Sequence, residues 1–169
     1  MKKVFLLAPL LAALLSSGCM HYARGSGSHL AFARIYVAPV RNDSLAPQAQ
    51  ALLTKQVRRK LADEPNLEIA AEPESAAILE ITIVKFEQTV ASTDTNDTIN
   101  AKSFNVQMSV TCTLKDGQTG KIYFKDHKLS DSVECHAVAD YQEAKHQIMP
   151  KLTEKLATRI CEAVCNPWE

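Results

Sequence analysis

Beyond Leu15 the chain has no apolar run long enough to cross a bilayer, which needs about 20 residues. Charge of one sign is also missing: 19 Lys and Arg stand against 19 Asp and Glu. Such a chain has no bulk attraction for nucleic acid or an anionic surface, so nucleic acid is not expected as a partner. Catalytic and metal motifs are absent too. There is no H-E-x-x-H, no G-x-S-x-G, no phosphate-cradling glycine loop and no C-x-x-C pair. The five histidines, His21, His29, His127, His136 and His146, are scattered along the chain. Cys161 and Cys165 lie one helical turn apart and Cys135 adjoins His136, but this is not the usual zinc spacing. The expectation is a non-enzyme with no cofactor and no metal.

What the sequence does contain begins at its start. Lys2 and Lys3 form a positive segment, Val4 to Leu15 is apolar apart from Pro9, and Ser16-Ser17-Gly18 are small. This is a secretory leader, too short to be a spanning helix. With Cys19 directly after Gly18, it resembles a bacterial lipoprotein signal. That resemblance implies that Cys19 is acylated and becomes the first mature residue. One acyl chain holds a protein only marginally, whereas two or more hold it stably. Residues 1–18 are thus read as signal peptide. Residues 19–30, with Gly25, Ser26, Gly27 and Ser28, are read as a lipidated tether, and 31–169 as one domain. Lys2 and Lys3 leave with the leader, so 17 basic residues then face 19 acidic ones.

The periodicities organise the domain. "ARIYVAPV" reads as a strand whose Pro39 suits an edge or a strand end. "RNDS" reads as a turn, and Pro47 opens a helix with Ala49, Leu52, Leu53, Gln56, Val57 and Leu61 on one face, ended by Pro65. Leu67–Ala70 is a candidate short strand. "AILEITIVKF" puts Leu79, Ile81 and Ile83 on one side and Glu80 and Thr82 on the other. A polar loop spans 91–103. The clearest alternation follows, with Phe104, Val106, Met108, Val110, Cys112 and Leu114 facing one way. "DGQTG" turns the chain back, and apolar parity switches from Ile122 and Phe124 to Leu129, Val133 and Cys135. Since a one-residue slip exchanges faces, a bulge near Asp126–Lys128 is expected. Asp140 with Glu143 caps a last helix whose buried row is Ile148, Leu152, Leu156, Ile160 and Val164, with a kink or break at Pro150. The order β-α-β-β-β-α gives an α/β two-layer sandwich. It has a four-stranded sheet, or five if Leu67–Ala70 pairs, with both helices on one face.

Three groups of residues are singled out for function. Asn105, Gln107, Ser109, Thr111 and Thr113 project from the sheet face that the helices leave open, and the adjoining polar loop holds Asn96. That face is read as polar but mostly uncharged, and its small hydrogen-bonding side chains suit a close-fitting polar partner wall. Lys115, Lys121, Lys125 and Lys128 cluster around the last hairpin. They suit phosphate groups, or discourage edge-to-edge strand pairing, and the second use is favoured. The basic triplet Arg58, Arg59 and Lys60 reads as a solvated helix face. Four cysteines follow Cys19, and in an exported chain they permit disulfides. Cβ atoms at i,i+4 lie about 5–6 Å apart, too far for a bridge between Cys161 and Cys165 within a helix. A cross-link from Cys135 to one of those two is expected instead.

Taken together, Cys19 with Tyr22, "IYVAPVRNDSLAPQAQALLTKQVRRKL" at 35–61 and "SAAILEITIVKF" at 75–86 resemble the LPS-assembly lipoprotein (LptE) family. The pattern is a strand ending in V-x-P, then N-x-S/T and a proline, a helix with L-L-T, and an alanine-led apolar strand. The resemblance implies a lipoprotein at the inner leaflet of the Gram-negative outer membrane. It would plug the lumen of an LptD-type β-barrel, help that barrel assemble and help pass lipopolysaccharide to the cell surface. "IYVAPVRNDS" also resembles the opening of periplasmic α/β lipoproteins that activate a cell-wall synthase or form part of a secretion channel. A thiol oxidoreductase on Cys161 and Cys165 is a distant third reading.

With no other segment able to hold a bilayer, Cys19→Ala is expected to abolish acylation and move the protein to the soluble fraction. Retention in salt-washed outer membranes would mean that the anchor argument is wrong or that the barrel alone retains the protein.

Overall fold

The computed structural model describes residues 30–46, 48–93, 101–136 and 141–166. Six strands and two helices follow in the order β1 (Arg34–Val37), β2 (Arg41–Asn42), α1 (Ala49–Ala62), β3 (Glu68–Ile69), β4 (Ala77–Thr93), β5 (Ala101–Asp116), β6 (Ile122–His136) and α2 (Tyr141–Cys165). They form one mixed sheet in the order β3-β1-β4-β5-β6, with β2 also pairing with β4. The pairings of β1 with β3 and β4, and of β2 with β4, are parallel; β4, β5 and β6 are antiparallel. Both helices add their apolar faces to the same side of the sheet, as the alternation in β4 and β5 requires.

Pro39 explains why the count is six. It has no N–H to give, and the next amide, at Val40, turns out of the sheet to the Thr54 hydroxyl of α1 at 3.2 Å. Pairing to β4 resumes at Arg41, which sits opposite Thr82. Arg41 and Asn42 are therefore strand where a turn was expected. The turn begins with Asn42, whose Oδ1 accepts from the Ser44 amide and hydroxyl while its Nδ2 donates to the Ala46 carbonyl. Pro47 lies outside the described residues, and α1 starts after Gln48, which is left-handed at φ 55°. The short strand at Leu67–Ala70 forms as β3: the Glu68 and Ala70 amides donate to the Ala33 and Ile35 carbonyls.

The register of the long strands shifts in five places, and three of these re-aim side chains beside the core. Between Ile83 and Lys85 the register shifts, so Val84 bulges outward and Phe86 returns to the helix side. In β6 the expected bulge forms at Asp126, whose φ is 50° and whose amide donates to the Thr113 hydroxyl at 3.2 Å. A second shift between Leu114 and Lys115 sets Ile122 opposite Lys115 and leaves it 51% exposed. Ile122 therefore does not share the buried face with Phe124. The loop expected at 91–103 is shorter, because β4 continues to Thr93 and β5 resumes at Ala101.

The core is a single layer. Ile35, Val37, Leu79, Ile81, Ile83, Met108 and Val110 from the sheet meet Leu53, Val57 and Leu61 of α1 and Leu152, Leu156 and Ile160 of α2. Each such aliphatic side chain contributes about 1.5–3 kcal/mol by leaving water. No break occurs at Pro150: one helix runs through it. Buried residues flank the proline, and the Thr153 hydroxyl donates back to the Met149 and Pro150 carbonyls at 2.8 and 3.0 Å.

A polar clamp fixes α2 to the sheet. Asp131 stands on the helix side of β6, opposite Met108 and between Leu129 and Val133, with its side chain only 9% exposed. Lys155 and Arg159 reach it from α2, each at 2.7 Å. Burial pushes its carboxyl up, but the hydrogen bonds from Lys155, Arg159 and the Ser132 amide outweigh this and hold it below the ordinary carboxylate value. Stability from a depressed carboxyl is present above its unfolded pKa, about 4, and is lost as pH falls through the folded value. Asp131→Asn is thus expected to cost about 1–2 kcal/mol at neutral pH, since both cations remain half-exposed. Urea melts should show that deficit shrinking as the pH is lowered to about 3. An equal deficit at both pH values would refute the clamp's ionic character.

The hairpin tip is held by close backbone approach. The Gly117 amide donates to the Ala76 carbonyl at 2.9 Å, and a Cβ at Gly117 would lie 2.6 Å from the Ser75 carbonyl oxygen. Gly117→Ala should destabilise by about 1–3 kcal/mol in the same melts, with Gln118→Ala, on the open side of the turn, near neutral.

Candidate partner-docking face

With both helices on one side, no other described element covers the opposite side of the sheet. Along β5 it presents Asn105, Gln107, Ser109, Thr111 and Thr113, the row read from the sequence. Cross-strand register shows what borders that row. Asn105 lies between Thr89 and Glu134, Gln107 between Glu87 and Ser132, and Ser109 between Lys85 and Ser130. Thr111 lies between Thr82 and Lys128, and Thr113 beside Glu80. Gln107 is exposed, while the other four are half-buried by these neighbours. The central stripe is uncharged, as expected, but the flanking strands are not. Glu80, Lys85 and Glu87 on one side and Lys128 and Glu134 on the other make the face as a whole a charged surface with a neutral centre. The expectation of a mostly uncharged face came from reading one strand without its partners.

Two ion pairs sit on this face, Lys85 with Glu87 at 2.7 Å and Lys115 with Glu80 at 2.6 Å. Near its β2 end, the Arg41 guanidinium lies over Thr82 and donates to its hydroxyl at 3.2 Å through Nη2. Asn96 lies outside the described residues. The four lysines are not equivalent. Lys115 is paired with Glu80, whereas Lys121, Lys125 and Lys128 are exposed. Lys125 and Lys128 flank the Asp126 bulge on β6, the last strand in the sheet order. Lysines and a bulge on a terminal strand hinder pairing with another chain.

The Asp116 carboxylate organises the adjoining turn. Its Oδ1 accepts from the Thr119 and Gln118 amides at 2.7 and 2.9 Å, and its Oδ2 accepts from the Tyr123 hydroxyl at 3.1 Å. Those bonds hold its carboxyl low, at about 2. Tyr123 also packs its ring on Phe32, with centroids 5.5 Å apart.

The expected cross-link from Cys135 is not formed. Cys112, Cys135, Cys161 and Cys165 all stand as thiols. Cys135 is at the far end of β6, opposite Phe104, while Cys161 and Cys165 turn toward α1. Cys112 is a core residue whose burial pushes its thiol up to about 12, so it packs as an apolar group. Sequence reasoning missed two constellations. The Asp131 clamp was visible in principle, as a carboxylate at an apolar parity position. The approach of Glu64 to Cys161, at 3.6 Å across 97 residues, carried no local signal.

Among the described residues no helix is long and apolar enough to cross a membrane. No curated protein matches the chain by sequence. Solved structures match it in fold. Lipoprotein B from Nitrosomonas europaea is 15% identical, with a TM-score of 0.59, covering 87% of this chain and 91% of its own. A protein from Xanthomonas campestris is 12% identical, with a TM-score of 0.59, covering 80% of this chain and 85% of its own. A minor lipoprotein from Acinetobacter baumannii is 10% identical, with a TM-score of 0.55, covering 79% and 93%. At such identities these likenesses speak for the fold alone. A family model described as LptE, lipopolysaccharide-assembly, matches residues 32–161, from two residues before β1 into the last turns of α2. The chain belongs to the LptE family.

Proposed function

We propose that this protein is a non-catalytic lipoprotein of the Gram-negative outer membrane, held at the periplasmic side by acyl chains on Cys19. Its α/β domain docks inside an LptD-type β-barrel, helps that barrel assemble and helps lipopolysaccharide pass through it. Membership of the lipopolysaccharide-assembly family over 32–161 carries this reading. The leader, ending at Gly18 directly before Cys19, supports the anchor, since a lipoprotein signal ends just before the cysteine that is to be acylated.

The open sheet face is the docking surface in this reading. Both helices are committed to the core side, so the β5 row and its charged borders can meet a partner without disturbing the fold. Hydroxyl and amide side chains such as Ser109, Thr111 and Gln107 suit the wet, polar interior of a barrel, where bridging waters accommodate imperfect fit. Asn96, which lies outside the described residues, belongs to the polar segment between β4 and β5 and is a further candidate for contact with the barrel. Lys121, Lys125 and Lys128 are the secondary candidates for lipopolysaccharide phosphates; Lys115 is the weakest of the four, because Glu80 already neutralises it.

Photocrosslinking residues placed at Gln107 and Ser109 in living cells should trap the barrel. Crosslinkers at Lys55 and Lys151, exposed on the two helices, should not. The opposite distribution would overturn the orientation. Capture of a cell-wall synthase or a ring of identical copies, with no barrel, would overturn the function.

A further inference from the structure

At the C-terminal ends of the two helices, three metal-ligating groups converge from distant parts of the sequence. Cys161 and Cys165, one turn apart on α2, hold their sulfurs 3.9 Å from each other. Glu64, two residues beyond α1, brings Oε1 to 3.6 Å from the Cys161 sulfur, and all three donor atoms lie within 4.8 Å of one another. The cluster sits where Cys161 is buried and Glu64 and Cys165 are partly open, so an ion has access from solvent.

Two of the three edges of this triangle match those around a small tetrahedral ion, and the third is within 4.8 Å. With zinc–sulfur bonds of about 2.3 Å, two sulfurs of a tetrahedral site lie about 3.8 Å apart. With a zinc–oxygen bond of about 2.1 Å, the sulfur–oxygen edge is about 3.6 Å. The two measured edges, 3.9 and 3.6 Å, agree with both. A disulfide, by contrast, needs a sulfur–sulfur distance of about 2.05 Å and closer Cβ atoms than i,i+4 on a helix allows. The electrostatics favour a cation as well. The Lys60 carbonyl, in the last turn of α1, lies 3.8 Å from the Cys161 sulfur, and carbonyls at a helix C-terminus carry partial negative charge.

We propose that Glu64, Cys161 and Cys165 form a site for a divalent, thiolate-seeking metal ion of the zinc type, with the fourth position left to water. The ion bonds to the two sulfurs and to one Glu64 oxygen, and the two thiol protons leave to solvent. Its effect is to tie the end of α1 to the end of α2, a connection otherwise supported by apolar packing and by the long 4.0 Å approach of Lys60 to Glu154. The inference rests on this geometry and is independent of the barrel partner.

Titration of the purified, reduced full-length protein in detergent with Co²⁺ tests it. One Co²⁺ per chain should bind with the intense visible bands of a tetrahedral ion and the near-ultraviolet charge-transfer band of thiolate ligation. Zn²⁺ should displace it. Cys161→Ser and Cys165→Ser should each reduce the charge-transfer band and weaken binding, Glu64→Gln should weaken binding about tenfold or more, and Cys135→Ser should change nothing. As a readout on the unaltered protein, Zn²⁺ should protect Cys161 and Cys165 from alkylation, as located by peptide mass spectrometry. The pale spectrum of hydrated Co²⁺, binding that survives in the Cys161→Ser/Cys165→Ser double variant, or unchanged alkylation of the two cysteines would each overturn the proposal.

Discussion

Burial of one face of the sheet, and only one, is the constraint from which the other features follow. The alternating rows of β4 and β5 demand an apolar layer on one side, and two amphipathic helices supply it. Once α1 and α2 are committed there, strand register can no longer slip, because a shift of one residue would carry Met108 and Val110 into solvent. Two of the register shifts serve this demand. At Val84 and Asp126 a residue is expelled or turned so that Phe86 and Leu129 regain the helix side. The same commitment leaves the opposite face open.

The parts of the molecule that obey a period were legible in the sequence. The β5 alternation, the α1 and α2 stripes and the parity change that called for a bulge all carry their information within a few residues. What escaped depends on partners that sequence distance conceals. Pro39 was recognised as a ladder problem, but not that Thr54 would receive the Val40 amide and let pairing resume at Arg41. The charged borders of the β5 row belong to β4 and β6, so a single-strand reading found a neutral surface where the register builds a mixed one. Pro150 was read as a breaker because propensity disfavours it; buried packing on either side, with the Thr153 hydroxyl turned back to the preceding turn, overrides that preference. The cysteine expectation failed because Cys135 faces Phe104 at one end of the domain while Cys161 and Cys165 face α1.

The polar interactions divide between two tasks. Asp131 works inside the helix–sheet seam, where its low exposure makes the two cations from α2 directional and ties the last helix to the last strand. The pairs on the open face, Lys85 with Glu87 and Lys115 with Glu80, are solvated and add little to stability. They keep a broad flat surface soluble and leave its neutral centre available. Cores and surfaces here are thus specified by different rows of the same strands, so changes on one face can be made with little disturbance to the other.

The place of β1 in the sheet has a mechanical meaning. The strand nearest the N-terminal end of the domain is not at the margin; it lies between β3 and β4, hydrogen-bonded to both in parallel. A strand at the margin peels away one bond at a time, like a zip. Tension arriving along β1 from the preceding segment must instead shear two ladders together, with Ile35 and Val37 seated beneath them in the core. The fold therefore takes hold of its leading end at a point suited to bearing load.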